Sequence, residues 1–531
     1  MTRRLRRWLV ALATFALLVG ALAWYGVRSF DPPAGPAAAP LHTALGDIRG
    51  TREAGLTVYR GIPYAAPPIG ARRWRPPAST SWQGTLDASH FKPACMQVGS
   101  GLPGSLPRSE DCLGLNIWTP AARPDEKRAV MVFIHGGGFT NLSSDLRFFW
   151  GDRLAQKGVI VVTLNYRLGV LGFLAHPELS AESAQHASGN YALLDCIAAL
   201  RWVKDNIEAF GGDPDNVTLF GQSAGAVLAS ELMVSPLARG LFARVIGMSG
   251  ADIGDAGTLT GIPLGAQAEA GGVEFARSIG ADSLATLREL SAETLMKSAG
   301  TVADQPLINL PSVDGYVLPQ QVDAALGNTR AIDLMVGVDA QDGVSSGGPR
   351  NAEAYVAQVR ERYGTLADRF LEAFPGRSDE EAQASDARLA SVFAAWRAFT
   401  WARIHAQDAR GRTFGYVFSR VPPWTKTAAH ASDVPYLFGF PRALFYLVPW
   451  RTKRDLALAD ELQRYWTNFA KTGDPNSDGL PTWQPFAVTE SVLNFGDSTH
   501  MEAVPYRADF ALVEADRQEL RRRAGRAAAT E

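Results

Sequence analysis

A serine in a glycine-flanked turn is the residue of this chain best suited to chemistry. Ser223 stands at the centre of Gly221–Gly225, directly after the apolar run Val217–Phe220. Glycines two residues to either side let a strand turn sharply into a helix, which holds the hydroxyl exposed near the positive helix end. The pattern predicts a nucleophile, whereas a chance match in a glycine-rich turn is the competing interpretation.

A second glycine-rich segment offers donors for an oxyanion. His135–Phe139 follows the strand-like run Val130–Ile134 and contains consecutive glycines, which expose backbone N–H groups. The N–H groups of Gly137, Gly138 and Ala224 are predicted to converge on one oxygen. A flexible turn or a phosphate loop is the competing interpretation, but the sequence lacks the Lys-Ser/Thr end or the spaced dinucleotide glycines of such a loop.

Three histidines follow the serine and compete for the role of general base. His405 falls within a predicted helix, where packed histidines are common, and His500 stands near the end of the last predicted strand. His430 lies in a loop between the strand Thr413–Phe418 and the apolar run Val434–Phe440, and loops on rigid scaffolds often carry catalytic residues. We therefore predict His430 as the base and keep His500 as second choice.

The acid that orients the imidazole should leave a strand between the serine and His430. The apolar run Leu334–Val338 leads directly into Asp339 and Asp342. Spacing alone does not choose between these two aspartates, and either could instead cap a helix.

Strand-like runs alternate with helical segments through most of the chain. The predicted strands are Ala129–Ile134, Val159–Leu164, Val217–Phe220, Val245–Met248, Asp333–Val338 and Thr413–Phe418, and the predicted helices include Ala192–Ile207, Ala352–Arg362 and Leu458–Lys471. Short strands separated by helices predict an α/β fold, with a large, mostly parallel central sheet covered by helices on both faces.

The composition is that of an ordinary globular protein. Of 531 residues, 46% are apolar and 20% are charged, which argues against a disordered chain. The chain has 52 basic and 54 acidic residues, and five of the basic ones are arginines near the amino terminus, so the remainder is acidic. Because phosphate binding needs a basic surface, we expect no nucleic-acid partner.

The amino-terminal segment predicts export. Four arginines precede Trp8–Val27, a run of uncharged residues, and residues 29–40 form a Pro- and Ala-rich linker. A helix of about 20 residues spans the hydrocarbon core of a bilayer, which favours a retained membrane anchor. Ala21–Ala23 offers a cleavage site, which would make the product secreted or periplasmic. In both cases the catalytic domain lies outside the cytoplasm.

Export makes a disulfide possible among the three cysteines. Cys95 and Cys112 are the natural pair because they would close a short Gly- and Pro-rich loop, with a stabilisation of about 3 kcal/mol in the chain-entropy model. Cys196 lies among apolar residues at helical spacing and is predicted to be a buried, unreactive thiol.

Further blocks accompany the two glycine motifs in a fixed order: Tyr59–Ala65, Ser109–Leu113, Asn165–Arg167 with Gly172–Leu174, Gly211–Pro214, and Tyr465–Trp466 with Phe469–Gly473. With these blocks, the chain resembles the type-B carboxylesterase family over about residues 42–510. That family comprises α/β-hydrolases and includes cholinesterases and bacterial para-nitrobenzyl esterases. Several blocks in the right order are far more specific than any one of them.

The resemblance implies an α/β-hydrolase fold and a serine hydrolase with no metal or organic cofactor. It implies a nucleophile, a base and three oxyanion donors, which are Ser223, His430, and Gly137, Gly138 and Ala224. Because the family's acid immediately precedes a glycine, the resemblance selects Asp342 over Asp339. It also matches the Cys95–Cys112 bridge to a family disulfide and the pair Arg73 and Glu110 to a family ion pair.

The sequence departs from the family pattern at several positions. The acid implied by the resemblance is Asp342, where eukaryotic members of the family usually carry glutamate, and Gln222 stands where cholinesterases have a glutamate. The loop between Cys95 and Cys112 contains no tryptophan, so a choline-type cation would lack its aromatic partner. The segment Asp304–Leu310 lacks aromatic residues, which suggests tolerance for larger acyl groups.

We therefore predict an exported serine carboxylesterase acting on a small-molecule ester. The expected organisation is an anchor or signal segment over 1–28, a linker over 29–40, a catalytic domain over 41–515 and a charged, frayed tail over 516–531. The alternative from another class is a non-catalytic adhesion or binding protein on the same fold, which an intact set of catalytic residues argues against. A lipase or an amidase would use the same triad geometry.

Overall fold

The computed structural model describes residues 35–99, 106–254, 262–328, 331–343, 348–408, 411–423, 425–439, 452–486 and 490–528. The expected anchor or signal segment over 1–28, with the first part of the linker, lies outside the described residues. Within the described ranges, every helix is too short or too polar to cross a membrane.

An eleven-stranded sheet forms the centre of the described structure. Its strands, in spatial order, are Thr499–Ala503, Ser491–Phe495, Thr413–Phe418, Asp333–Asp339, Arg244–Met248, Gly212–Gln222, Arg128–Ile134, Ile160–Leu164, Gly114–Thr119, Leu56–Pro63 and Thr51–Glu53. Neighbouring strands are parallel from Ser491–Phe495 through Ile160–Leu164. The pairs toward the two edges are antiparallel.

Short strands form two small additional sheets: Leu41–Thr43 with Gly46–Arg49 and Thr85–Asp87, and Ala94–Cys95 with Arg108–Ser109. The α-helices of the described residues are Asp152–Ala155, Gly169–Phe173, Pro177–Glu182, Tyr191–Asn206, Ala224–Val234, Gly265–Ser278, Leu284–Glu289, Ala292–Ala299, Pro306–Asn309, Val322–Ala325, Ala352–Tyr363, Ala367–Ala373, Asp379–Asp408, Val434–Phe438, Lys453–Thr472 and Phe510–Ala528.

Hydrophobic cores lie on both faces of the large sheet. Successive side chains of a strand point to opposite faces, so alternate residues of one strand join different cores. Val132 packs in the core that holds the helices Tyr191–Asn206 and Asp379–Asp408. Phe133, the next residue, packs in the core that holds the helix Lys453–Thr472. This layered arrangement confirms the predicted α/β fold with helices on both faces.

The helix Lys453–Thr472 shows how the local sequence sets an element. The Thr452 side chain accepts a hydrogen bond from the N–H of Asp455, and the Asp455 side chain accepts one in return, which caps the first turn. Gly473 ends the helix in the left-handed conformation, with φ 73°. Between the caps, Leu458, Leu462 and Trp466 recur every four residues and are fully buried against the sheet.

The cysteines adopt the predicted states. Cys95 and Cys112 form a disulfide, and Cys196 is a buried thiol. Close to the bridge, Arg73 and Glu110 form a bidentate ion pair, with Nε to Oε1 and Nη2 to Oε2 distances of 2.7 Å each. The loop containing the disulfide is therefore held by both a covalent and an ionic contact.

The carboxy-terminal helix Phe510–Ala528 includes residues 516–528 of the segment expected to fray. Arg517 Nη2 lies 2.7 Å from Asp323 Oδ2, and both Asp516 and Arg517 are buried. A carboxylate distant in sequence thus faces the helix at the start of that segment. The charged composition of the tail alone does not reveal that partner.

Candidate active site

Ser223 occupies a sharp turn between the strand Gly212–Gln222 and the helix Ala224–Val234. Its backbone angles are φ 57° and ψ −127°, a conformation that residues other than glycine rarely adopt. The Ser223 N–H donates to the carbonyl of Met248 at 2.8 Å, which ties the turn to the neighbouring strand. The turn holds the Ser223 side chain in the wall of a cavity.

Close packing explains the two glycines of this turn. A Cβ on Gly225 would lie 2.0 Å from the carbonyl oxygen of Ile134, and one on Gly221 would lie 2.2 Å from that of Gly225. Real Cβ atoms do not approach other atoms so closely. The first turn of the helix therefore packs directly on the strand that precedes the His135–Phe139 loop.

Ser223, His430 and Asp342 form one continuous chain of hydrogen bonds. His430 Nε2 lies 2.8 Å from Ser223 Oγ, and His430 Nδ1 lies 2.5 Å from Asp342 Oδ1. Asp342 is buried, and His430 is largely enclosed with one edge open to the cavity. A base between a serine and a carboxylate can take the hydroxyl proton while the carboxylate stabilises the resulting imidazolium.

Strand pairing places Asp342 beside His430. The strands Asp333–Asp339 and Thr413–Phe418 are parallel neighbours that lead toward the two residues. Beyond the strand ends, an isolated bridge joins the residues immediately before each of them, Gln341 and Ala429. The sheet pairing thus continues just far enough to set Asp342 next to His430.

Asp339, the other candidate acid, makes its hydrogen bonds elsewhere. Ser249 Oγ donates to its Oδ2 at 3.3 Å, and the backbone N–H of Asp433 donates to its Oδ1 at 3.2 Å. Burial raises the pKa of Asp339 well above its ordinary value, and the charges of Asp433 and Asp342 act in the same direction. Asp339 is a buried acid behind the Ser223–His430–Asp342 chain.

The pKa of His430 is set by opposing effects. Burial alone lowers the pKa of the imidazole, but the hydrogen bond to Asp342 and the charges of Asp342 and Asp433 raise it. The net direction is upward from the ordinary value of 6.5. The imidazolium is therefore favoured in this environment, which suits a group that must hold a proton during the reaction.

The other two candidate histidines lie apart from Ser223. His405 is buried in the helix Asp379–Asp408, where its Nδ1 lies 2.7 Å from Thr413 Oγ1, and burial lowers its pKa to about 4. His500 lies on the strand Thr499–Ala503 and is exposed. Neither is among the residues that line the cavity in the described structure.

Two of the three predicted oxyanion donors, those of Gly138 and Ala224, belong to residues that line the cavity beside Ser223. The Gly137 carbonyl accepts hydrogen bonds from the N–H groups of Thr140 and Asn141, at 3.2 and 3.0 Å. Because carbonyl and N–H are antiparallel in a trans peptide, the N–H of Gly138 points away from that turn. Within the described part of the chain, the N–H groups of Gly138 and Ala224 have no acceptor, and both residues line the cavity.

The cavity in front of Ser223 has a volume of about 850 Å³. Its inner wall comes from the Gly138–Phe139 and Ser223–Ala224 segments and from Ser249–Ala251. Two helices, Ala352–Tyr363 and Asp379–Asp408, supply the outer wall, with Tyr355, Val359, Arg362, Tyr363, Asp386, Leu389, Ala390, Phe393, Ala394 and Arg397 among the lining residues. A volume of this size suits a small or medium-sized organic ligand.

Sequence reasoning missed this outer wall. The lining residues of the helix Asp379–Asp408 recur at intervals of three and four, which is the pattern of one helix face. That periodicity is visible in the sequence, but it is equally typical of a helix packed on a core. Sequence periodicity therefore does not distinguish a helix face that lines a cavity from a helix face that packs against the hydrophobic core.

Two departures from the family pattern have structural counterparts. Gln222 Nε2 lies 3.3 Å from His430 Nε2, so a neutral amide stands beside the base. The segment Asp304–Leu310 is not among the described residues that line the cavity.

Across the same described ranges, no cluster of three or more His, Cys, Asp or Glu side chains has metal-binding geometry.

Comparisons with known proteins show the family to which the chain belongs. The model of the carboxylesterase family matches residues 37–513. A fumonisin B1 esterase from Sphingopyxis macrogoltabida is 36% identical over 86% of this chain and 86% of its own length. A para-nitrobenzyl esterase from Bacillus subtilis (strain 168) is 35% identical over 82% of this chain and 91% of its own length.

Two further comparisons bear on fold and on function. The solved structure of a thermophilic PNB esterase superposes with a TM-score of 0.78 at 30% identity, covering 89% of this chain and 99% of that one. Neuroligin-2 from Mus musculus is 32% identical over 82% of this chain but is matched over 60% of its own length.

Proposed function

The chain belongs to the carboxylesterase family and is a carboxylic ester hydrolase, and on that premise we propose that it acts through an acyl-enzyme on Ser223. The observation that carries the proposal is the hydrogen-bonded chain Ser223–His430–Asp342, with distances of 2.8 and 2.5 Å, opening on a cavity. A serine, a base and an orienting acid in this order are what nucleophilic acyl transfer requires.

In the proposed first half-reaction, Ser223 Oγ attacks the ester carbonyl as His430 Nε2 takes the hydroxyl proton. The carbonyl oxygen becomes an oxyanion, and the N–H groups of Gly137, Gly138 and Ala224 stabilise it. Removing one such donor from a comparable site costs about 3 kcal/mol. His430 then gives its proton to the leaving alcohol, and the acyl group stays on Ser223.

In the second half-reaction, a water molecule takes the place of the alcohol. His430 removes a proton from the water as it attacks the acyl carbonyl, and the same N–H groups stabilise the second oxyanion. Collapse of this intermediate releases the acid and returns the proton to Ser223. Asp342 holds one tautomer and one orientation of His430 through both halves.

The test of this mechanism is hydrolysis of p-nitrophenyl butyrate by the full chain, together with covalent labelling by an organophosphate. We expect wild-type turnover and labelling, and we expect Ser223→Ala to lose both, with a fall in kcat on the order of 10⁶. Ser183→Ala, in a half-buried serine outside the cavity, is the matched control and should keep both.

The outcomes separate the alternatives. A folded wild-type chain that neither turns over nor labels would reject the triad and favour a binding role, the possibility raised by the similarity to neuroligin-2. Hydrolysis of an anilide at a rate near that of the matching ester would favour an amidase. A rate that rises sharply at an ester–water interface would favour a lipase.

We also propose that the chain is exported, with residues 1–28 as anchor or signal, 29–40 as linker and 41–515 as the catalytic domain. The arginine cluster, the uncharged run Trp8–Val27 and the Cys95–Cys112 disulfide support this proposal. Fractionation and amino-terminal sequencing test it. An intact terminus in the membrane fraction indicates an anchor, a terminus near Ala23 indicates cleavage, and intact protein in the cytoplasm rejects export.

A further inference from the structure

Gln222 places a side-chain amide beside His430. It is the last residue of the strand Gly212–Gln222, and its side chain is buried. The amide nitrogen, Nε2, lies 3.3 Å from His430 Nε2, the same ring nitrogen that lies 2.8 Å from Ser223 Oγ. Two hydrogen-bond donors thus approach one ring nitrogen. Neither half-reaction proposed for ester hydrolysis gives the amide a task.

The surroundings of Gln222 determine which end of its amide faces His430. A Cβ on Gly136 would lie 2.9 Å from Gln222 Oε1 and 2.7 Å from the Gln222 carbonyl oxygen. The absence of a side chain at Gly136 therefore leaves room for the oxygen end of the amide. The nitrogen end is directed toward His430. Because an amide nitrogen can only donate, its partner on His430 must be a lone pair.

His430 has one lone pair to offer. Its Nδ1 lies 2.5 Å from Asp342 Oδ1, and a carboxylate accepts, so the ring proton is on Nδ1. Nε2 is then the acceptor of the neutral imidazole. In the free enzyme, the hydroxyl of Ser223 is the closer donor to Nε2, and the amide of Gln222 is the longer, weaker one.

An acyl-enzyme would remove the closer donor. Once Ser223 Oγ carries the acyl group, it has no proton to donate. Among the described residues, Gln222 is then the donor that remains at His430 Nε2, while Asp342 still holds Nδ1. With both ring nitrogens bonded, the imidazole stays beside the acyl carbonyl. A contact of 3.3 Å is weak enough for an incoming water to displace it.

We propose that Gln222 is a positioning residue for the second half-reaction, in which its amide N–H holds the neutral imidazole of His430 in place until water attacks the acyl-enzyme. The inference rests on the proposed function and deepens it. The first half-reaction should depend little on Gln222, because Ser223 itself donates to His430 at that stage. The second should depend on it more.

The amide also opposes the charges around His430. Asp342 and Asp433 raise the pKa of the imidazole. The other titratable side chains at or behind the cavity, which are not among the groups that shift this pKa, are Asp339, Glu361, Arg362, Asp386 and Arg397. A donor to Nε2 stabilises the neutral ring. Gln222 therefore keeps more of His430 in the form that can accept a proton.

Two measurements on the full chain separate the half-reactions. The kcat/KM for p-nitrophenyl butyrate reports the steps up to release of p-nitrophenol, which belong to the first half. The second half is measured as the return of activity after carbamoylation by p-nitrophenyl N,N-dimethylcarbamate, because hydrolysis of the carbamoyl-serine is the step that restores activity. Both are recorded over a range of about pH 5.5 to 9, which covers the titration of a histidine.

Two substitutions keep the length of the side chain and change its hydrogen bonding. Gln222→Met has no donor, and we expect its recovery rate to fall roughly 5- to 10-fold while kcat/KM falls by no more than about twofold. Gln222→Glu offers only an acceptor and a negative charge, which favour the imidazolium. We expect the midpoint of its recovery-rate profile to rise by at least about one pH unit. Gln320→Met, at an exposed glutamine outside the cavity, is the matched control and should change neither measurement.

Each outcome has a distinct meaning. If the wild type fails to hydrolyse p-nitrophenyl butyrate or to take up the carbamoyl group, the proposed acyl-enzyme mechanism itself fails. If the wild type does both, and Gln222→Met loses equally in the two measurements or in neither, the positioning role is overturned. Should Gln222→Met fail to fold, Gln222→Glu decides. A wild-type midpoint in Gln222→Glu would mean that the side chain only fills space.

Discussion

Asp339 and Asp342 are three residues apart, and their surroundings give them different chemistry. Asp342 accepts from His430 at 2.5 Å, whereas Asp339 accepts from Ser249 and from the backbone of Asp433. Burial raises the pKa of Asp339, so this carboxyl is favoured in its neutral form. A neutral acid without a hydrogen bond to His430 is poorly suited to stabilise an imidazolium there, which supports the proposed orienting role of Asp342.

Paired substitutions at these aspartates should give unequal losses of activity. Asp342→Asn keeps the shape but offers the wrong tautomer to His430, and we expect kcat to fall by roughly 10⁴. Asp339→Asn replaces a largely neutral acid by a neutral amide, so we expect a change of less than about tenfold. Steady-state hydrolysis of p-nitrophenyl butyrate measures both. Equal losses in the two variants would mean that the acid has been misassigned.

The pH dependence of the reaction should report the pKa of His430. The base works only when neutral, so kcat/KM should rise with pH through that pKa. Because the surroundings of His430 raise its pKa, we expect the midpoint of the rise above 6.5. Burial raises the pKa of Asp433 to about 6, so Asp433 is mostly charged above that pH and contributes to the effect.

Asp433→Asn removes one of the charges that raise the pKa of His430. It leaves the hydrogen bonds of His430 to Ser223 and Asp342 in place. We therefore expect the midpoint of the kcat/KM profile to move to lower pH. The exposed Asp304→Asn serves as a control and should leave the profile where it is. A midpoint that stays fixed in Asp433→Asn would show that the charge of Asp433 does not reach the base.

Local spacing in the sequence predicts His430 as the base but does not choose between Asp339 and Asp342, and only the family resemblance selects Asp342. A histidine in a loop after a strand is a local feature, and its competitor His405 had a local reason against it, its place in a predicted helix. Asp339 and Asp342 follow the same strand, so their local contexts are alike. The choice between them depends on the bridge between Gln341 and Ala429, a contact between distant segments that spacing does not contain.

At the scale of elements, the turn at Ser223 depends on the packing of one helix against one strand. The first turn of Ala224–Val234 approaches the end of Arg128–Ile134 so closely that no side chain fits at Gly225. The same contact positions Ser223 and the His135–Phe139 loop relative to each other. The proposed oxyanion donors and the proposed nucleophile are thus placed by a single interface.

Gly225→Ala should disturb that interface. Its Cβ would lie 2.0 Å from a backbone carbonyl oxygen, which cannot move aside as a flexible side chain would. We expect a loss of at least about 2 kcal/mol in the free energy of unfolding, measured by urea denaturation. Gly55→Ala has open space around it and a φ of 82°, so we expect only conformational strain, about 1 kcal/mol. A loss at Gly225 no larger than at Gly55 would contradict this.

The predicted ends of helices and strands agree closely with the observed ends where the sequence contains a continuous run of apolar residues. The predicted strand Thr413–Phe418 has the observed bounds, and the predicted helix Ala352–Arg362 extends by one residue to Tyr363. The strand Gly212–Gln222 is much longer than the predicted Val217–Phe220, because its first half carries polar residues that give no strand signal. The helix Lys453–Thr472 begins five residues early because its first turn is held by a polar cap.

The whole molecule positions the site at one edge of its sheet. Ser223 and Asp342 both follow parallel strands at their carboxyl ends, and His430 comes from the loop after a third parallel strand. In open α/β sheets, ligands bind at this edge. The sheet therefore supplies a rigid frame, and the two helices of the outer wall close the cavity over it.

The folded chain also buries a pair of acids, Glu231 and Asp252. Both oxygens of Glu231 and Oδ2 of Asp252 are buried without a hydrogen-bond partner in the described structure. Burial raises the pKa of Glu231 well above its ordinary value, and the charge of Asp252 adds to this. For Asp252, burial raises the pKa from 3.8 to about 7, with Arg397 opposing and Asp323 assisting the shift.

A raised pKa of a buried acid makes stability fall as pH rises. Below about pH 4, Asp252 is protonated in both the folded and the unfolded chain, and its contribution to stability is fully present. Between about pH 4 and pH 7, the unfolded chain releases the proton that the folded chain keeps. The free energy of unfolding should therefore lose up to about 1.4 kcal/mol per pH unit from this group, and the loss should end near pH 7.

Asp252→Asn should remove that dependence, since an amide cannot titrate. We expect the variant to become more stable relative to wild type as pH rises, so that their free energies of unfolding diverge progressively. Urea denaturation from pH 4.5 to 8 measures both. Asp125→Asn makes the same exchange at the surface, and its free energy of unfolding should run parallel to that of wild type over this pH range. Parallel curves for Asp252→Asn would show that Asp252 is ionised in the folded chain, held so by Arg397.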